Sequence, residues 1–148
     1  MTDSPTELTF GCIPAAGLEV VWGDVRKLLE PAVKTAAGKL DIDDVRKDIE
    51  SGTLVLWLVV DGTTPIAAIT TRIVAYPQRR ALAMDWIGGR RMKEWLPIAQ
   101  RTLSKFAVDN GCAHLEGYGR RAWGKWLSTY GWAPDYITYK MELGDGKR

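Results

Sequence analysis

The spacing of apolar residues changes along the chain between helical and strand periods. From Leu18 to Val33, apolar side chains recur every three or four residues, which is typical of one buried helix face. A second helix is predicted between Asp41, a capping residue, and Gly52, a residue that ends helices well. The next run, Thr53–Val60, is continuously apolar, as expected of a central strand that is covered on both faces.

The rest of the chain predicts more strands and two further helices. Asp61 and Gly62 predict a tight turn between the second and third strands. The remaining predicted elements are strands at Leu8–Pro14, Ile66–Val74, Ala81–Ile87, Cys112–Tyr118 and Tyr136–Leu143, a long helix from the turn Gly88-Gly89 to about Asp109, and a short helix over Arg120–Tyr130.

The order β-α-α-β-β-β-α-β-α-β predicts an α/β (α+β) fold. We expect a mixed, mostly antiparallel central sheet of about six strands with helices on both faces. With 148 residues, the chain is predicted to form a single domain, with frayed tails over residues 1–7 and 144–148.

The near-neutral charge of the chain hides an asymmetry. The formal net charge is +2, but residues 1–61 carry 11 acidic and 6 basic side chains, whereas residues 62–148 carry 7 acidic and 14 basic ones. Chance scatter over a solvated surface is one explanation. The other is an anionic ligand or partner that binds the second half of the chain.

Cysteine usage and hydropathy exclude several classes of protein. Cys12 and Cys112 are isolated and His114 is the only histidine, so a zinc site with about four ligands is not expected. Two lone thiols suit a reducing cytosol. No apolar run approaches the roughly 18 residues of a membrane span, so we expect no membrane association and a cytoplasmic location.

Two segments carry a resemblance to a known family. The passage MDWIGGRRMKEWLP, the segment GYGRRAWGKWLSTYGWAP and the order of elements resemble the GNAT (N-acetyltransferase) superfamily of acyl-CoA-dependent transferases. Within it, the chain is most similar to divergent GNAT-like proteins of tailed bacteriophages. The resemblance implies acetyl-CoA or another acyl-CoA as cofactor, an amine acceptor and no metal; for a phage protein it implies the host cytoplasm or the virion.

The resemblance also implies where the cofactor binds. In the family, glycines and backbone N–H groups at the start of the long helix hold the CoA pyrophosphate, because a helix N-terminus attracts anions. Here the family's glycine spacing is absent, although two arginines could replace some of the N–H contacts. A plain glycine turn with solvated arginines is the alternative. The predicted cofactor-binding residues at this point are Trp86, Ile87, Gly88, Gly89, Arg90, Arg91 and Met92.

The family's terminal motif contains a tyrosine that often protonates the departing thiolate. Alignment on Gly131-Trp132 places Leu127 at that position, and leucine cannot donate a proton. Tyr130, about one helical turn away, and Tyr118, at the end of the fifth strand, are candidate replacements. The alternative for each is a packing aromatic with a satisfied hydroxyl.

A transferase of this kind also needs a group that takes a proton from the amine. Asp85 and Glu116 are the carboxylates on the fourth and fifth strands, and either could act as this base if burial raised its pKa toward neutrality. The alternative for each is an outward-facing charge.

Cations and aromatic residues are interleaved over residues 118–132. The predicted basic ligands there are Arg120, Arg121 and Lys125. A packed amphipathic helix with a basic exterior explains the pattern, as does contact with the adenine and 3′-phosphate of CoA. Nucleic acid, which combines stacking with phosphate contacts, is the weaker candidate because the net charge is small and no recognition motif is present.

Three functions are consistent with these features. The first is an acyl-CoA-dependent N-acyltransferase, with acyl-CoA between splayed fourth and fifth strands. The second is an inactive GNAT-fold module with protein partners in a phage virion or a host. The third is a non-catalytic acyl-CoA sensor. Fold alone does not decide among them.

Overall fold

The computed structural model describes residues 7–119 and 121–144. The ends of both predicted tails and Arg120 lie outside these residues. The chain forms two compact units, Met1–Tyr118 and Gly119–Arg148. The first unit contains five strands and three helices: β1 (Leu8–Ile13), α1 (Leu18–Lys34), α2 (Ile42–Glu50), β2 (Val55–Asp61), β3 (Thr64–Ala75), β4 (Arg80–Gly89), α3 (Met92–Asp109) and β5 (His114–Gly117).

The five strands of the first unit form one mixed sheet in the order β1-β2-β3-β4-β5. Neighbours from β1 to β4 pair antiparallel, and β5 pairs parallel to β4. The long helix α3 supplies the crossover that a parallel pair requires. The predicted mixed, mostly antiparallel fold is therefore confirmed, with five strands in place of six.

Helices cover both faces of this sheet. On one face, α1 and α2 pack their buried stripes against Leu56, Leu58 and Ala68. On the opposite face, Trp57 of β2 makes an edge-to-face contact with Phe106 of α3, with ring centroids 5.2 Å apart. Both faces of β2 are thus buried, as its continuous apolar run predicts.

The predicted start of α2 is confirmed in detail. The side chain of Asp41 accepts hydrogen bonds from the backbone N–H groups of Asp43 and Asp44, and the Asp44 side chain accepts one from the N–H of Asp41. This reciprocal capping satisfies donors that the first turn of a helix leaves free.

The predicted turn at Gly88-Gly89 is wrong. Both glycines belong to β4, where they pair with Ala68 and Ala67 of β3. A Cβ on Gly88 would lie 2.0 Å from the carbonyl oxygen of Leu28, so this glycine allows the backbone of α1 to touch β4. The sequence predicts a turn here because glycine is common in turns. A close contact between two backbones also requires glycine, and that is its role in β4.

The predicted last strand is also wrong. Within residues 121–144, the segment 136–143 has no strand structure, and Tyr136 and Tyr139 are 93% and 87% exposed. Its alternating apolar pattern is suited to a strand, but a strand also needs a partner for its backbone N–H and C=O groups. A residue pattern does not supply that partner.

The helical segment predicted at Arg120–Tyr130 is present in the second unit in three short pieces. A 3₁₀ turn at Arg121–Trp123 leads into α4 (Gly124–Leu127), and a second 3₁₀ turn follows at Ser128–Tyr130. Within this unit, the rings of Trp126 and Tyr130 meet edge to face at 5.8 Å.

Candidate functional site

The pairing of β4 with β5 ends partway along β4, and we call this point the separation of the two strands. Their parallel pairing runs from Ala81 opposite His114 to Met84 opposite Gly117, whereas β4 continues to Gly89. Beyond Met84, this edge of β4 pairs with no strand of the described sheet. The separation leaves backbone N–H and C=O groups of β4 available to a ligand.

A β-bulge in β4 coincides with the separation. Thr71 of β3 pairs with Met84 and Thr70 pairs with Trp86, so Asp85 is an extra residue in β4. Bulges are over-represented next to active sites because they redirect a side chain. The predicted base Asp85 therefore lies where the two strands part.

The strand register brings a polar cluster to one face of the sheet. Ala83 of β4 pairs with Arg72 of β3 on one side and with Glu116 of β5 on the other. Residues that pair directly across a sheet share a face, and alanine leaves space between the two longer side chains. The small residue thus makes room for a cluster of charged groups.

Asp85 is held by a cation. Nε of Arg72 donates a hydrogen bond to Oδ2 of Asp85 at 2.6 Å, and the Asp85 side chain is only 13% exposed. The hydrogen bond to Asp85 raises the pKa of Arg72 above its usual range. Asp85 is therefore not an outward-facing charge; it is the partner of a fixed guanidinium.

Glu116 has a different set of partners. The hydroxyl of Tyr76 donates to both carboxylate oxygens at 2.8 and 3.0 Å, and Nε2 of His114 lies 2.9 Å from Oε1. The rings of Tyr76 and His114 are stacked with centroids 6.4 Å apart. The hydrogen bond to Glu116 also raises the pKa of Tyr76.

The two candidate tyrosines fall in different units. Tyr118 follows β5 in the first unit, is 60% exposed and interacts electrostatically with Arg72. Tyr130 belongs to the second unit, where it packs against Trp126. The structure thus brings Asp85, Glu116 and Tyr118 together around Arg72, and it places Tyr130 in the other unit.

The predicted cofactor segment spans the end of β4 and the start of α3. Trp86 is partly buried against the α1–α2 core, and its backbone N–H donates to the hydroxyl of Thr70. A Cβ on Gly89 would lie 2.3 Å from the carbonyl oxygen of Ile66. These neighbours explain the small residues without a ligand. Ile87 is partly buried in β4, and Met92 opens α3.

The two arginines before α3 have different surroundings. Arg91 donates to both oxygens of Glu94 at 2.9 Å and to Oδ2 of Asp61 at 2.7 Å, and these bonds raise its pKa. The side chain of Arg90 is exposed and makes no ion pair with the residues that the structure describes. Arg90 is therefore the arginine whose charge is available to an anion.

The predicted basic ligands of the second unit are only partly described. Lys125 is exposed on α4, Arg121 is described for its backbone alone, and Arg120 lies outside the described residues. Their binding role stays a prediction.

Three members of the polar cluster were missed from the sequence: Arg72, Tyr76 and His114. His114 and Glu116 are two residues apart on a strand, which places them on one face, and this spacing was a usable signal. Arg72 and Tyr76 had no such sequence signal, because their proximity to Glu116 depends on the pairing of β3, β4 and β5.

Two further observations concern membrane-spanning helices and metal-binding clusters. Over residues 7–119 and 121–144, no helix combines the length and apolar character needed to cross a bilayer. In the same residues, no group of three or more His, Cys, Asp or Glu side chains is placed to hold a metal ion.

Comparison by sequence gives no relative. No protein-family model matches the chain. No curated protein matches it.

Solved structures match over almost the whole chain. A GNAT family acetyltransferase from Staphylococcus aureus has a TM-score of 0.63 and 9% identity, over 92% of this chain and 98% of that one. The aminoglycoside N-acetyltransferase AAC(6')-Iy in complex with CoA has a TM-score of 0.63 and 12% identity, over 97% and 100%. The aminoglycoside acetyltransferase meta-AAC0020, from an uncultured soil metagenomic sample and in complex with sisomicin, has a TM-score of 0.64 and 7% identity, over 92% and 96%.

At these identities the similarity shows the fold alone. The chain has a GNAT-like fold, as its element order predicts. The closeness to phage-encoded proteins finds no support in these similarities.

Proposed function

We propose that this chain is an acyl-CoA-dependent N-acyltransferase that transfers an acetyl or other acyl group to a primary amine. The observation that carries the proposal is the separation of β4 from β5 at a bulge, with Asp85 and Glu116 beside the opening. An exposed strand edge next to two carboxylates offers both a place for an extended ligand and groups that can take a proton.

The residues at the end of β4 fit the cofactor's chemistry. Acyl-CoA supplies the acyl group as a reactive thioester. The unpaired edge of β4 offers hydrogen bonds to an amide-containing chain, and only two residues separate the end of β4 from the N-terminus of α3. Arg90 adds an exposed cation for a phosphate. Contacts by Arg120, Arg121 and Lys125 with the adenine or 3′-phosphate are part of the same proposal.

The carboxylates support an amine as the acceptor. Glu116 and Asp85 carry two negative charges beside the opening, and Arg72 carries one positive charge. A site with this balance favours a cationic or amine-bearing molecule. Because two proteins of the same fold are described as aminoglycoside acetyltransferases, sisomicin is a reasonable first acceptor to test.

A second candidate is binding of acyl-CoA without transfer. The observation that favours it is Leu127, which stands on α4 where the resembled family has a proton-donating tyrosine. Tyr118 and Tyr130 are the proposed replacements for that tyrosine, and loss of transfer without loss of binding would indicate that neither replaces it.

Mass spectrometry of the acceptor tests the two candidates against each other. The protein is incubated with acetyl-CoA and either sisomicin or a panel of simple primary amines, with boiled protein as the control. We expect the mass of the acceptor to increase by one acetyl group. The amount of acetylated acceptor should rise with the amount of active protein. Binding of acetyl-CoA without acetylation of any amine would favour the binding-only function. The absence of both binding and acetylation would reject both candidates.

A further inference from the structure

The two carboxylates beside the opening differ in the charge of their partners. Asp85 is bound by the guanidinium of Arg72, which stabilises its negative charge. Glu116 is bound by the neutral hydroxyl of Tyr76 and by His114, and no arginine or lysine of the described residues is in ion-pair contact with it. A carboxylate that is paired with a cation accepts a proton less readily than one that is hydrogen-bonded to neutral donors.

The surroundings of His114 favour one tautomer of its ring. Nε2 faces Oε1 of Glu116 at 2.9 Å, whereas Nδ1 is buried with no hydrogen-bond partner in the described structure. A proton on Nδ1 would leave a buried N–H without an acceptor, at a cost of about 1–3 kcal/mol. A carboxylate only accepts hydrogen bonds. The geometry therefore favours the tautomer of His114 that carries its proton on Nε2 and donates it to Glu116.

We infer that Glu116 is the group that accepts the proton of the amine, and that Tyr76 and His114 are positioning residues that orient its carboxylate. Asp85 is held aside by Arg72. This inference rests on the proposed acyltransferase function and deepens it, because the sequence leaves the choice between Asp85 and Glu116 open.

The proton balance of the reaction is simple. When the amine nitrogen bonds to the acyl carbon, a C–N bond forms, a C–S bond breaks and the nitrogen loses one proton. Glu116 accepts that proton and releases it to water, while the departing sulfur takes one proton from the replacement tyrosine, Tyr118 or Tyr130, which regains it from water. No electron is gained or lost, and Glu116 ends as a carboxylate.

The geometry around Glu116 suits this role. Its side chain is 19% exposed, so it is partly accessible to a ligand. The near-parallel rings of Tyr76 and His114, 16° apart, stack beside it. Among the described residues, the other charged or titratable groups of this cluster are Arg72 from β3, Asp85 from β4 and Tyr118 after β5. Of these, only Arg72 is a cation, and it is committed to Asp85.

Nitrogen NMR of the imidazole tests the arrangement without any activity. His114 is the only histidine of the chain, so its ring signals need no residue assignment, and the two nitrogens are told apart by their couplings to the ring protons. We expect the proton on Nε2 at pH 7, a preference that is lost in Glu116→Leu and kept in Asp85→Asn. A proton on Nδ1 in the unaltered protein, or the same result in both variants, would overturn the inference.

Kinetics with acetyl-CoA and the acceptor found above tests the role. Glu116→Gln is expected to lower kcat by about 100-fold or more, the usual contribution of a general base. Asp85→Asn is expected to lower it by less than about fivefold, far below a base's contribution. The matched control is Glu50→Gln, which makes the same change at a carboxylate bound by Arg46 on α2 and is expected to leave kcat unchanged.

The positioning role of His114 has its own signature. His114→Ala is expected to lower kcat about tenfold, which corresponds to the free energy of one hydrogen bond. The KM for acetyl-CoA is expected to stay unchanged. His114→Gln, whose side-chain amide can also donate to Glu116, is expected to restore most of that loss. A larger loss in Asp85→Asn than in Glu116→Gln would overturn the inference, as would no rescue by glutamine.

The two levels of proposal fail in different ways. If acetyl-CoA does not bind, the acyltransferase proposal fails whatever the NMR result. If acetyl-CoA binds and no amine is acetylated, Glu116 has no proton to accept and the assignment fails. If transfer occurs and Glu116→Gln retains full kcat, the assignment alone fails.

Discussion

The two halves of β4 serve different purposes. From Ala81 to Met84 the strand pairs on both sides, and the polar cluster is built across it. From Trp86 to Gly89 only β3 pairs with it, and the glycines there allow α1 and β3 to approach closely. The difference shows that side-chain chemistry follows strand register, whereas the glycines that resemble a ligand-binding turn are explained by packing.

Two pairs of like charges lie near β4, and in each pair one member is held by an opposite charge. In the cluster, Arg72 binds Asp85, and Glu116 has neutral donors. Before α3, Glu94 and Asp61 bind Arg91, and Arg90 is exposed. We therefore assign the ligand-facing roles to Glu116 and Arg90, and the following changes test that division.

The largest expected effect is on folding. Gly88→Ala places a Cβ against the carbonyl of Leu28, and because the obstacle is backbone, we expect a loss of about 3 kcal/mol of stability. Urea unfolding measures it. The control is Gly23→Ala in α1, the helix that contains Leu28, where the added Cβ has open space. Alanine there is expected to add up to about 1 kcal/mol. Equal midpoints for the two variants would reject the packing explanation.

The second effect is on acetyl-CoA binding. Arg90→Ala is expected to weaken the affinity about tenfold, equivalent to about 1.4 kcal/mol, because an exposed guanidinium loses a phosphate contact. Arg91→Ala is expected to weaken it less, since that side chain already binds two carboxylates. Titration calorimetry measures both, with Arg101→Ala on α3 as the charge-matched control. A larger loss in Arg91→Ala would reverse the assignment.

Much of the fold was predictable from local patterns. The cap at Asp41 and the buried run of β2 depend on neighbouring residues, and both are confirmed. The end of β4 and the segment 136–143 were not predictable, because each depends on which strand or helix lies beside it. The same reason hid Arg72 and Tyr76, whereas Asp85 and Glu116 were found from their strands alone.

A smaller effect is expected from Asp61→Asn. This change removes one of the two carboxylates that bind Arg91, so its guanidinium becomes more available to a phosphate. We expect acetyl-CoA affinity to rise by about two- to threefold, in keeping with a surface ion pair worth less than about 1 kcal/mol. Weaker binding in this variant would indicate that the ion pair itself shapes the site.

The smallest effect concerns alkaline stability. The hydrogen bond to Glu116 raises the pKa of Tyr76 in the folded chain above its ordinary value. Its stabilising contribution is thus complete below about pH 10 and is lost as the pH rises through the folded value. The stability difference between the unaltered protein and Tyr76→Phe should shrink above pH 10. A difference that grows with pH would contradict the hydrogen bond.

Thermal unfolding with and without acetyl-CoA tests the central claim, that the opening between β4 and β5 binds this cofactor. At a concentration of about 100 times Kd, a ligand that binds only the folded state adds about 2.7 kcal/mol of stability. For a chain of this size, we expect Tm to rise by roughly 5–10 °C, and by less in Arg90→Ala. An unchanged Tm at millimolar acetyl-CoA would contradict the account.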